Sequence, residues 1–142
     1  MIASSEWKPN QNNPESFLAR SESGHTLTLD AGTDHFDGPS PVEAVLMALC
    51  SCTSVDVIGI LRKKREPLLG LTVTAHAERR EEHPRSFQTI RLVYRVSGVH
   101  SRKAVEDAVA LSKNKYCSVS AMLSGTASIH TEIEFAESEP LP

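Results

Sequence analysis

Between Ser40 and Pro67 the chain carries a run with clear helix signals at its start and almost no polar face along its length. Ser40 suits the capping position, Pro41 the first helical position, and Glu43 the place where a capping box takes a carboxylate. Pro67 ends the run, so the helix is expected to reach about Arg65. Its apolar residues (Val42, Val45, Leu46, Leu49, Val55, Val57, Ile58, Ile60 and Leu61) point in nearly every direction around the axis. A helix that is apolar all round is expected to be buried all round. A chain of 142 residues has little material with which to enclose it, and a partner subunit is the natural source of the missing cover.

Around this helix the pattern changes to a period of two. Residues 1–15 read as a flexible lead-in. Ser16–Arg20 and His25–Asp30 read as strands joined by a turn at Ser21–Gly24, with Leu27 and Leu29 on one face. Beyond the helix, Gly70–Arg79 places Leu71, Val73, Ala75 and Ala77 inward, and Phe87–Val96 is expected to pair with it in antiparallel fashion. A helix from Ser101 to about Asn114 with Val105, Ala108 and Val109 inside, a short helix through Val119–Leu123 and a strand over Thr126–Phe135 complete the chain. Residues 136–142 read as a frayed tail. The order β-β-α-β-β-α-α-β is that of an α+β protein with one domain over residues 16–135.

Charge excludes some functions. The net charge is −3, and the one basic cluster, Arg62–Arg65, falls at a helix end where cations suit the dipole, so no nucleic-acid partner is expected. The longest apolar run is interrupted by Cys, Ser and Asp, which argues against a membrane partner. The first residues lack the apolar core of a secretory signal, so the cytoplasm is the expected location.

Three cysteines then carry the chemical question: Cys50, Cys52 and Cys117. Residues two apart on a helix are separated by about 200° around its axis, so Cys50 and Cys52 cannot jointly face one site. No short paired spacing of the zinc-site type occurs, and no metal or other cofactor is expected. A redox pair made of one helix thiol and Cys117, at the start of a short helix, remains open, as does plain packing of all three. The six histidines read as turn, loop or wet-face residues.

GPSPVEAVLMALCSCTSVDV from Gly38 to Val57, EHPR at Glu82–Arg85 and KYCSVSAML at Lys115–Leu123 together resemble the OsmC/Ohr superfamily, and most of all its YhfA-like branch. The resemblance runs from about Ser21 to Phe135. It implies an intertwined obligate homodimer in which two long central helices are enclosed by sheets from both chains, with sites at the interface. It also implies a thiol-dependent peroxidase that reduces apolar organic hydroperoxides, with Cys52 as the reacting thiol, Cys117 as its resolving partner, Arg20 as an electrostatic helper and an external dithiol as reductant. Cys50 falls to core packing. Counting from Pro41, the position at which the peroxidases carry a thiolate-orienting Glu holds Val42 here, with Glu43 one step on. That departure keeps a second reading alive, a non-peroxidatic thiol or small-molecule-binding protein using the same groove. A third is a structural or sensor dimer.

Overall fold

The computed structural model describes residues 1–9 and 11–137; most of the tail expected to fray, residues 138–142, lies outside the described residues. Contacts group the chain into two compact units, Met1–Leu46 and Met47–Pro142.

The first unit is a three-stranded antiparallel sheet of β1 (Ala3–Glu6), β2 (Ser16–Ser21) and β3 (Thr26–Asp30), in that order. β2 and β3 form where the alternation places them, and Gly24, at φ +87°, makes the turn between them. β1 lies inside the segment read as a flexible lead-in. Its sequence, ASSE, has no alternation and all four residues are exposed, so only its pairing with β2 identifies it. After β3 the chain folds back on itself. The Asp30 carboxylate accepts the Gly32 and Asp37 N–H groups at 2.8 and 3.1 Å, and the Asp30 N–H donates to the Pro39 carbonyl at 2.9 Å. These backbone donors hold the Asp30 carboxyl below the usual carboxylate range.

This return brings Gly38 so close to β3 that a Cβ there would overlap the Thr28 carbonyl oxygen. Gly38→Ala is therefore expected to destabilise the first unit by about 1–3 kcal/mol, the usual cost of overpacking. Faster amide hydrogen exchange in β3 than in β5 would report it. Unchanged exchange would show that the loop yields freely.

The capping box expected at Ser40 is present: its N–H donates to Glu43 Oε2 at 2.7 Å and the Glu43 N–H donates to Ser40 Oγ at 3.2 Å. It starts α1 (Pro41–Lys63). The helix buries a single stripe, Leu49, Thr53, Val57 and Leu61, spaced four apart and fully inaccessible. The all-round burial expected from the sequence is absent within one chain, where Met47 is 52% and Val55 70% exposed. α1 also corrects the membrane argument, because by length and composition alone it is long and apolar enough to cross a bilayer. Polar interruptions shorten an apolar run without making a helix polar.

The second unit pairs β4 (Gly70–Arg79) with β5 (Phe87–Ser97) in antiparallel register, and β5 with β6 (Ser128–Ala136) in parallel. The parallel step follows from the connection: α2 (Arg102–Leu111), a π-helical turn (Ser112–Tyr116) and α3 (Ser118–Leu123) carry the chain back to the end of the sheet where β5 began. Ile90, Leu92, Tyr94 and Val96 of β5 are buried opposite Ala77, Ala75, Val73 and Leu71, the inward set read from β4. Val105, Ala108 and Val109 form the buried stripe of α2, again as read. Its start is fixed twice: Ser101 Oγ accepts the Ala104 N–H at 3.1 Å, and Glu66 Oε2 accepts the N–H groups of His100 and Ser101. α2 ends at Leu111 rather than near Asn114 because the π-helical turn widens the backbone there, a device that redirects side chains.

Candidate thiol site

The middle of α1 holds the cysteines, and the buried stripe separates them. Cys50 follows Leu49 and Cys52 precedes Thr53, so they flank the stripe on opposite sides, as helix geometry requires. Cys50 is half-buried on the β4 side, where the Ala75 backbone acts on its thiol; burial pushes its pKa up. Cys52, also half-buried, turns the other way, within interaction distance of Cys117. The structure thus brings together two of the three site residues named from the sequence. Arg20, the third, is an exposed residue of β2 in the first unit, opposite Ser4 and Thr26, where its charge acts on Glu6.

Cys117 is 2% exposed. It caps α3: its Sγ accepts the Ser120 N–H at 3.4 Å while its own N–H donates to the Ser112 carbonyl at 2.8 Å. Burial pushes the Cys117 thiol above the usual thiol range, Ser120 draws it back, and the neighbouring Cys52 adds to the rise. A cavity of about 300 Å³ reaches Cys117 between Lys113, Lys115, Ser124 and Ile129.

Beside the two thiols runs a chain of buried hydroxyls that sequence reasoning did not find. Thr53 Oγ1 lies 2.8 Å from both Tyr94 Oη and Ser112 Oγ, and Ser112 Oγ donates to Asp56 Oδ2 at 2.9 Å. A carboxylate only accepts, so Ser112 gives its proton to Asp56, Thr53 gives to Ser112, and Tyr94 gives to Thr53. All three hydroxyls are inaccessible to solvent. The one available signal was polarity out of place: Thr53 in an apolar helix, Tyr94 at an inward strand position, Ser112 in line with the α2 stripe. Asp56 is taken up by Ser112 of its own chain. A second cavity, of about 400 Å³, opens beside it between Val55, Gly59, Ile60, Leu111 and Tyr116.

Burial pushes the Tyr94 phenol up to about 12, further raised by Cys117, Cys50 and Asp56 against the bond it shares with Thr53. A phenol whose folded pKa lies above its ordinary value of 10 contributes stability that is complete below pH ~10 and is lost as the pH climbs toward ~12. Denaturant titrations are therefore expected to lose about 2–3 kcal/mol across that window, and Tyr94→Phe to flatten this limb. An identical alkaline limb in the Phe variant would exclude Tyr94 as its source.

Glu43 stays engaged in the capping box, and Val42 stands at the preceding position. Among the described residues no group of three or more His, Cys, Asp or Glu side chains comes together in a way that could hold a metal ion.

Residues 32–133 match the OsmC-like protein family. Protein YhfA of Escherichia coli K12 is 44% identical over 114 residues, spanning 80% of this chain and 84% of that protein. The crystal structure of a hypothetical protein from Aquifex aeolicus VF5 superposes with a TM-score of 0.83 at 31% identity, over 97% of each chain. The organic hydroperoxide resistance protein OhrB of Bacillus subtilis shares the fold, with a TM-score of 0.65 at 12% identity over 94% of this chain and 96% of its own.

Proposed function

Because the chain belongs to the OsmC-like protein family, we propose that it is a thiol-dependent peroxidase that reduces organic hydroperoxides through Cys52 and Cys117. The observation that carries this reading is the meeting of those two thiols from distant parts of the sequence, with Cys50 turned to the other side of α1.

The Cys52 thiolate attacks the distal oxygen of the hydroperoxide; the S–O bond forms, the O–O bond breaks, and the alkoxide leaves and takes a proton as the alcohol. The Cys117 thiolate then attacks the sulfenic sulfur of Cys52, and hydroxide leaves to become water as the disulfide forms. An external dithiol returns both sulfurs to thiols by giving up two electrons and two protons. Arg20 would act as the electrostatic helper of the Cys52 thiolate. The protein would work in the cytoplasm as an obligate homodimer, its second copy covering the exposed Met47 and Val55 of α1. The apolar walls of the cavity beside Asp56 suit an alkyl hydroperoxide better than hydrogen peroxide.

A second reading, a non-peroxidatic thiol or small-molecule-binding protein, is favoured by one observation: Glu43 is held by Ser40, and Val42 offers no carboxylate in its place. Turnover separates the two. With a dithiol reductant in excess, cumene hydroperoxide should be consumed catalytically, and faster than hydrogen peroxide. Consumption no faster than in the absence of protein would favour binding alone.

A further inference from the structure

Ser120 Oγ is the one side-chain nitrogen or oxygen among the described residues that is buried without a hydrogen-bond partner. Ser120 is 1% exposed and stands in the first turn of α3. The usual uses of a serine there are closed or unmade. The N–H that a side chain at this place would reach back to cap, that of Cys117, already donates to the Ser112 carbonyl, and the hydroxyl makes no bond to a preceding turn. Alanine would form the helix better and strand nothing. A buried hydroxyl kept at such a position calls for a partner that the resting protein does not supply.

That partner is adjacent. Ser120 lines the same cavity as Cys117, its backbone N–H already points at Cys117 Sγ at 3.4 Å, and its hydroxyl lies close enough to the sulfur to draw the thiol's pKa down. A protonated thiol is a weak acceptor; a thiolate is a strong one. We propose that Ser120 is the positioning residue of the resolving thiol: its O–H and N–H converge on Cys117 Sγ and stabilise the thiolate that this sulfur must form to attack Cys52.

The role of the thiolate in disulfide formation rests on the peroxidase reading; the pairing of Ser120 with Cys117 does not. Attack on the sulfenic sulfur of Cys52 needs a thiolate on a buried residue, where burial works against ionisation. Two donors from one residue oppose that. The other titratable groups facing Cys117 are Cys52 on α1, Tyr94 on β5, and Lys113 and Lys115 along the cavity. Only Ser120 is both buried and without another partner.

The test uses the full chain with Cys50→Ser and Cys52→Ser, so that Cys117 is its only thiol, and follows its iodoacetamide alkylation across pH 6–11. Ser120→Ala is expected to shift the profile upward and slow alkylation at pH 8 by about tenfold, the effect of one pKa unit. Ser120→Thr should restore the profile. Thermal melts should show Ser120→Ala at least as stable as its parent, which a merely structural serine would not allow. An unchanged alkylation profile in the alanine variant overturns the proposal, whether or not the protein reduces peroxides. In the three-cysteine protein, Ser120→Ala should prolong the Cys52 sulfenic acid about tenfold without slowing its formation. If the wild-type protein forms no sulfenic acid, the peroxidase reading fails while the titration still decides the role of Ser120.

Discussion

Cys52→Ser is expected to lower hydroperoxide turnover by on the order of a thousandfold or more, the usual result of removing a nucleophile. Serine keeps the size of the side chain and its place on α1, so folding should be preserved, but its hydroxyl does not ionise near neutrality. Cys117→Ser should behave differently. The first equivalent of peroxide would still react at Cys52, giving a burst of alcohol, and turnover would then stop at the sulfenic acid or its overoxidised forms. Cys50→Ser should leave turnover unchanged, because that thiol lies on the β4 side of the buried stripe. The three variants together distinguish a pair from a single thiol. Equal losses at Cys50 and Cys52 would contradict the assignment, since helix geometry lets only one of them meet Cys117.

The largest effect on stability is expected at Thr53. Thr53→Val keeps the shape of the side chain and removes the hydroxyl that bonds both Tyr94 and Ser112. The Tyr94 hydroxyl is then stranded at about 1–3 kcal/mol, while Ser112 loses one of its two bonds and keeps the one to Asp56. The melting temperature should fall by roughly 10 °C for a domain of this size. Tyr94→Phe alone should cost less, because Thr53 keeps Ser112. The double variant should cost less than the two single changes added, since the phenol that Thr53→Val strands is then absent. A purely additive cycle would mean that the hydroxyls do not act as a connected network. So would a Thr53→Val variant as stable as the parent.

What could be read in the sequence is what is encoded locally. The capping box at Ser40 and Glu43, the alternation Leu71, Val73, Ala75, Ala77, and the stripe Val105, Ala108, Val109 each declare an element from within a few residues, and each lies where read. Ala3–Glu6 declares nothing, because an edge strand of small polar residues is defined by its neighbour. Parallel pairing of β5 with β6 depends on the course of the connection between them, and the end of α2 at Leu111 on a change of helical pitch that no residue type there signals.

The site divides in the same way. Geometry on one helix separated Cys50 from Cys52, and family resemblance singled out Cys117. The hydroxyl chain from Tyr94 to Asp56 joins three elements, β5, α1 and the π-helical turn, and a Thr, a Ser and a Tyr in apolar surroundings show only that something must satisfy them. α1 shows both sides of the matter. Its sequence announces an apolar helix of spanning length, while the burial of one stripe and the exposure of Met47 and Val55 show how much of its surface a single chain leaves uncovered.

The central claim is that Cys52 and Cys117 form one redox pair. Reduced protein should be mixed with one equivalent of cumene hydroperoxide for seconds, quenched with an alkylating reagent, and its cysteines mapped by mass spectrometry. The account predicts stoichiometric formation of a Cys52–Cys117 disulfide with Cys50 alkylated as a thiol. Three alkylated thiols after minutes of exposure, or a bridge that includes Cys50, would contradict it.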